Sequence, residues 1–132
     1  MQTKYNPLES PDPNHWLSMD ESERLYRVEE FHRRAKIQIP GMMVHCAIHT
    51  TVENQIAMVE ELPVKRKLEQ LIQEGLDRHE AIHAIGSVLV EHIHSLLKEK
   101  TGIQDPNEEY YKELTHLTAE KWKSSFVDMD EI

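Results

Sequence analysis

Residues 77–100 read DRHEAIHAIGSVLVEHIHSLLKEK, and this run decides the fold. Ile82, Ile85, Leu89, Ile93 and Leu96 recur at steps of three and four, the spacing that gathers side chains on one face of an α-helix. Asp77 with Glu80 three positions on forms a capping box, in which each side chain satisfies a free amide of the first turn. A helix is therefore expected over about residues 78–100, with that stripe at the centre of the core. Gly86 interrupts it. A mid-helix glycine costs about 1 kcal/mol against alanine, so it marks the close approach of something else.

Working outward, the same periodicity predicts helices on both sides. Leu62-Pro63 opens one that turns Val64, Leu68, Leu71 and Ile72 inward and stops at Gly75. Before it, residues 42–61 follow the break at Pro40-Gly41 and carry Val44, Ile48, Val52, Ile56 and Val59 as an apolar stripe. The first helix starts at the Asp20-x-x-Glu23 capping box and turns Leu25, Val28, His32 and Ala35 to one side. Downstream, Thr101-Gly102 ends the long helix. Asp105-Pro106-Asn107-Glu108 starts the last, with Tyr110, Leu114 and Leu117 inward and Trp122 and Phe126 near its end. The expected architecture is an all-α, compact bundle of about five helices. Residues 1–17, with Pro7, Pro11 and Pro13, are expected to be an irregular N-terminal arm with Trp16 and Leu17 tucked against the body. Residues 18–127 form a single helical domain, and 128–132 a frayed acidic tail.

Composition narrows the function. A chain of 132 residues suits one domain with an ordinary core, and four glycines with abundant helix formers disfavour a sheet. The net charge of −9 argues against nucleic acid or an anionic membrane as partner. Cys46 is the only cysteine, which excludes an intrachain disulfide and suits a reducing compartment. The N-terminal residues lack the apolar run of a signal peptide, and no stretch is long enough to span a bilayer. The expected location is cytoplasmic.

The chemistry lies in the histidines. His79 and His83 are four residues apart, as are His45 and His49, and Glu53 continues the second series by one more turn. Residues i and i+4 of a helix stack about 5–6 Å apart, so each pair aims two imidazoles at one place. Relative to the apolar stripes, His45 and His49 lie about 40° and 80° from the centre, and His79 and His83 about 80° and 120°. These are boundary positions. Antiparallel packing of the two helices brings the pairs face to face. A single divalent metal, held by three or four of His45, His49, His79 and His83 with Glu53 as a further candidate ligand, is the leading expectation. Zinc is the first choice and iron the alternative. Gln55 or Glu91 is expected to orient the rings from behind.

Each residue also has an ordinary role. Boundary histidines commonly space two helices by hydrogen bonding, and Glu80 completes a cap. The competing reading is a metal-free interaction or homodimerisation module, with the histidines as a polar seam and Met42-Met43-Val44 and Met58-Val59 as adaptable apolar surface. Glu29-x-x-His32 has the spacing of carboxylate-bridged metal sites in helix bundles. His15, His92 and His94 are expected in solvent, and His116 is left open.

The strings VENQIA (residues 52–57) and GLDRHEAIHAIGSVL (residues 75–89) resemble a family of small all-helical bacterial proteins catalogued only as a domain of unknown function. The similarity runs from about Trp16 to about Leu97. It implies a small all-helical bacterial protein whose centre of interest is the His-bearing strip. HEAIH also resembles the zinc-peptidase pattern over five residues. Peptidases of that kind need a substrate-binding strand and a free glutamate, whereas this chain shows no strand signal and Glu80 is expected at a cap. His49-x-x-x-Glu53 and His79-x-x-x-His83, with His32 on a first helix, resemble the spacing of haemerythrin-like di-iron bundles. The aspartate such a bundle would place five residues beyond His116 is replaced by Lys121.

Overall fold

The computed structural model describes residues 4–98 and 106–130. These form seven α-helices: α1 (Pro13–Ser18), α2 (Glu21–Arg34), α3 (Met42–Ala57), α4 (Leu62–Gln73), α5 (Arg78–Lys98), α6 (Pro106–Thr115) and α7 (Ala119–Asp130), with a 3-10 turn at Val59–Glu61. No strand occurs among the described residues. The expected all-α class holds. The expected stop at Thr101-Gly102, the Asp105 cap, the side chain of Phe126 and residues 131–132 lie outside the described residues.

Two local events raise the helix count from about five to seven. Within the arm expected to be irregular, Asp12 caps a short helix by accepting from the His15 N–H at 3.0 Å, and Pro13 follows at the first helical position, where its missing N–H costs nothing. Near the other end, the single helix expected from Asp105 breaks at residues 116–118. Thr118 Oγ1 accepts from the Lys121 N–H at 3.1 Å, and Glu74 Oε1 reaches from the end of α4 to the Ala119 N–H at 2.8 Å. Both satisfy free amides in the first turn of α7, which makes a fresh start stable there. Residues 128–130, expected in a frayed tail, belong to that helix.

The apolar core lies among α3, α4, α5 and α6. Leu71, Ile82, Ile85 and Leu114 are fully buried in it, and each such side chain contributes about 1.5–3 kcal/mol. α4 ends as read, with Gly75 at φ 110° and the Leu76 N–H returning to the Leu71 carbonyl at 3.1 Å. Of the last two residues of its expected stripe, Ile93 is exposed and Leu96 half-buried, so the stripe of α5 leaves the core after Leu89.

α3 differs most from its expectation. It packs against α1, α2, α4 and α5, yet Val44 is 64% exposed and Val59 87%. Its buried face consists of Cys46, His49, Thr50, Val52, Glu53, Asn54 and Ile56. Polar residues are buried because each finds a partner. Asn54, for example, accepts from Trp16 Nε1 at 2.9 Å and donates to Glu21 Oε1 at 3.0 Å, tying α1, α2 and α3 together. Gly86 does mark a close approach: a Cβ there would lie 3.1 Å from Ile48 Cγ2 of α3.

Candidate metal centre

Where α2, α3 and α5 meet, five imidazoles share one space. His45 faces His83 with ring centroids 4.7 Å apart, and His49 faces His79 at 5.3 Å. This is the order that antiparallel neighbours give, with residues rising on α3 and falling on α5. His32 enters from α2, 5.0 Å from His45 and 5.5 Å from His49. One ring nitrogen each from His32, His45, His49 and His83 lies within 4.8 Å of the others. The Nε2 atoms of His32 and His45 are 3.1 Å apart. Zinc–imidazole bonds of about 2.0–2.1 Å in a tetrahedron put neighbouring nitrogens about 3.3 Å apart, so the widest of these separations would close by about 1.5 Å in a coordinating set.

Three further observations describe the chemistry. His49 Nδ1, His79 Nε2 and His83 Nε2 are buried and have no hydrogen-bond partner. Each such orphan costs about 1–3 kcal/mol, and native proteins hold few of them. Burial, reinforced by neighbouring rings, lowers the basicity of the cluster. His79 is brought down to about 4 and His83 to about 3; His45 is lowered, and His49 lies well below the ordinary histidine value. These four rings are therefore neutral at pH 7, the form that binds a metal. Finally, a cleft of about 350 Å³, walled by Val44, Ile48, Ile82, Val90 and Trp122, opens onto His45, His49 and His83 beside Gly86.

The rings are held from behind. His32 Nδ1 lies 2.8 Å from the Val28 carbonyl, which makes Nδ1 the protonated nitrogen and turns the lone pair of Nε2 toward the cluster, where it accepts from His45 Nε2. A hydrogen bond of this kind fixes the tautomer of a ligating histidine. Behind His49 stands Tyr5, whose hydroxyl lies 2.8 Å from His49 Nε2 and donates in a short bond to Glu53. Glu53 is held in turn by Arg78 through two bonds of 2.7 and 2.8 Å.

Of the five residues read from sequence as ligands, His45, His49 and His83 stand among the four nitrogens that converge. His79 adjoins them as a fifth ring, 4.3 Å from His83 and edge-on to Phe31 at 5.4 Å. Glu53 faces elsewhere. It follows His49 by one turn, but its neighbours there are Arg78 and Tyr5, and they occupy both carboxylate oxygens. Gln55 and Glu91 do not orient the rings either: Gln55 accepts from Tyr110 at 2.8 Å, and Glu91 is exposed. His92, expected in solvent, is buried and stacked on Tyr110 at 5.5 Å. His15, His94 and His116 are exposed. Comparison with known protein families, curated proteins and solved structures returned no match. The chemistry of the site therefore rests on its own geometry.

That geometry bears on the two enzyme patterns. An exposed His116 leaves the haemerythrin-like arrangement without a fourth-helix ligand. For a peptidase, no strand lies beside the histidines among the described residues, and Glu80 stands at a helix start where its N–H is capped by Asp77 at 2.8 Å.

Proposed function

We propose that the protein binds one divalent metal ion, zinc before iron, through His32, His45, His49 and His83, and that this ion fastens α2 and α5 to α3. The observation that carries the reading is the convergence of one ring nitrogen from each of these four histidines within 4.8 Å, two of the rings, His49 and His83, each keeping a buried nitrogen without a partner. With Glu53 held by Arg78, the donors are all nitrogen, which suits zinc; iron loses the carboxylate that argued for it. Four protein ligands close a tetrahedral zinc site and give it a structural role; three would leave a position for water. His79 is then a neighbour that fills space and excludes water. No helix among the described residues is long and apolar enough to cross a membrane. A reducing, cytoplasmic setting suits the buried thiol of Cys46.

The experiment is elemental analysis of protein purified without a His tag, followed by thermal unfolding with and without zinc. The expected result is close to one metal per chain. Zinc at a hundredfold excess over Kd stabilises by about 2.7 kcal/mol, on the order of 10 °C in a chain of this size. Metal-free protein with a melting point indifferent to zinc would overturn the reading. It would favour instead a seam between chains, for which Met43 and Val44 supply exposed apolar surface at the start of α3.

A further inference from the structure

The N-terminal segment before α1 is built into the imidazole cluster. Tyr5 is buried, with its ring against Trp16 at 5.5 Å and edge-on to Phe31 at 6.3 Å. Two guanidinium groups hold its backbone: Arg34 donates to the Tyr5 carbonyl at 2.8 Å and Arg78 to the Pro7 carbonyl at 2.9 Å. The hydroxyl meets Glu53 and His49 Nε2 together.

The direction of these bonds follows from the charges. Arg78 donates to both oxygens of Glu53, and a guanidinium can only donate, so both oxygens act as acceptors. Tyr5 must then give its single proton to Glu53. The remaining contact, between the Tyr5 oxygen and His49 Nε2, has only His49 left to supply a proton. His49 is thereby the Nε2–H tautomer. Its lone pair lies on Nδ1, the nitrogen that is buried without a partner. The chain Arg78–Glu53–Tyr5–His49 thus leaves a lone pair on His49 Nδ1, available to a metal.

We propose that Tyr5 is the positioning residue of the metal centre, and that the segment around it is a clasp whose seating is coupled to metal occupancy. Tyr5 touches no metal; it selects which nitrogen of His49 is free. The inference rests on the metal reading for its consequence, but the tautomer does not. Coupling is reciprocal: a seated segment tightens the metal, and the metal tightens the segment by the same factor. Outer partners of this kind change metal affinity by about 10–100-fold.

The test has two parts. In metal-free parent protein, nitrogen-15 NMR of the imidazoles should show His49 protonated at Nε2 and bare at Nδ1. An Nδ1–H tautomer would overturn the proposal whether or not any metal binds. Zinc titration then compares the parent with Tyr5→Phe, which keeps the packed ring and removes only the hydroxyl. The expected result is about 10–100-fold weaker binding, a mixture of His49 tautomers, and loss of the zinc-dependent slowing of amide exchange over residues 4–9. Equal zinc affinity in Tyr5→Phe and parent would end the clasp while leaving the metal centre in place. A parent that binds no zinc but shows the Nε2–H tautomer would end the metal centre and the clasp's coupling to it, while keeping the hydrogen-bond chain.

Discussion

Around Gly86 the contact between α3 and α5 divides into two halves of opposite material. On one side Val52 and Ile56 of α3 and Ile85 and Leu89 of α5 belong to one buried apolar cluster with side chains of α4 and α6. On the other, His45 and His49 meet His79 and His83, with His32 arriving from α2 and Tyr5 from the N-terminal segment. The apolar half is nearly complete in itself: burying Leu71 or Ile85 leaves nothing unsatisfied, although beside them the buried His92, stacked on Tyr110, keeps a ring nitrogen without a partner. The imidazole half is not, since three of its ring nitrogens are buried without partners. A fold that needed only a core would fill both halves with aliphatic side chains, at lower cost in desolvation. On the reading proposed above, stability belongs to one half and metal binding to the other.

The largest effect should come where the two halves are joined to the N-terminal segment. Arg78→Met removes the partner of Glu53, whose side chain is 1% exposed, and releases the Pro7 carbonyl. Leaving a buried charge uncompensated costs about 3–5 kcal/mol, measurable by urea unfolding. A loss below about 1 kcal/mol would mean that water reaches Glu53, and that the segment is not sealed over it.

Next comes a pair of substitutions that sets the halves against each other. Leu71→Ala in the apolar half should cost about 2–5 kcal/mol, and the same amount with or without zinc. His49→Ala removes a ring with an unsatisfied nitrogen, so it should cost less in metal-free protein and should abolish the stabilisation by zinc. If zinc rescues or penalises both variants alike, the division of labour is wrong.

Acid should separate the halves without any substitution. Burial and neighbouring rings hold His79 at about 4 and His83 at about 3, against an ordinary value of 6.5. Between these values the unfolded chain binds protons that the folded protein refuses, so stability rises with pH across that window. The contribution is complete above about pH 6.5 and is lost as pH falls toward 4 and then 3. Bound zinc competes for the same nitrogens and should move the acid midpoint of the circular dichroism signal downward. Coincident acid curves with and without zinc would contradict this.

The smallest effect on stability belongs to the divide itself. Gly86→Ala places a Cβ 3.1 Å from Ile48 Cγ2, so α3 must give by a few tenths of an ångström. Against this, alanine favours the helix by about 0.5–1 kcal/mol. The two nearly cancel, leaving a net change within about 1 kcal/mol. Zinc affinity should nevertheless fall, because spreading α3 from α5 parts His45 from His83. Unchanged affinity would show that the ring spacing is set elsewhere than at Gly86.

These contrasts also explain what the sequence revealed. Val64, Leu68 and Leu71 of α4 and the stripe of the first half of α5 were legible because these buried residues are apolar, and periodicity counts apolar residues. Ile72, expected inward, is exposed, and Lys67 is buried instead because its ammonium donates to the Leu117 carbonyl. The facing of α3 was not, because Cys46, His49, Thr50, Glu53 and Asn54 are buried as parts of polar networks whose partners lie on other elements. His45, His49 and His83 were found as pairs on single helices. His32 was visible only as a histidine in an apolar stripe, and nothing local indicates that α2 would carry it to the other four. Tyr5 gave no signal at all, since a tyrosine among prolines has no periodicity to read. Glu53 misled for the same reason: the i+4 step fixes its face, not the partner it meets, which comes from the first turn of α5.

X-ray absorption at the zinc edge, on untagged protein loaded with one equivalent of zinc, examines the ligand set directly. The account predicts a shell of four nitrogens at about 2.0–2.1 Å with the outer scattering of imidazole rings, reduced by one ring in His32→Ala, the ligand that comes from outside the two histidine pairs. A shell containing sulfur, or dominated by oxygen, or unaltered in His32→Ala, would contradict a centre built from His32, His45, His49 and His83.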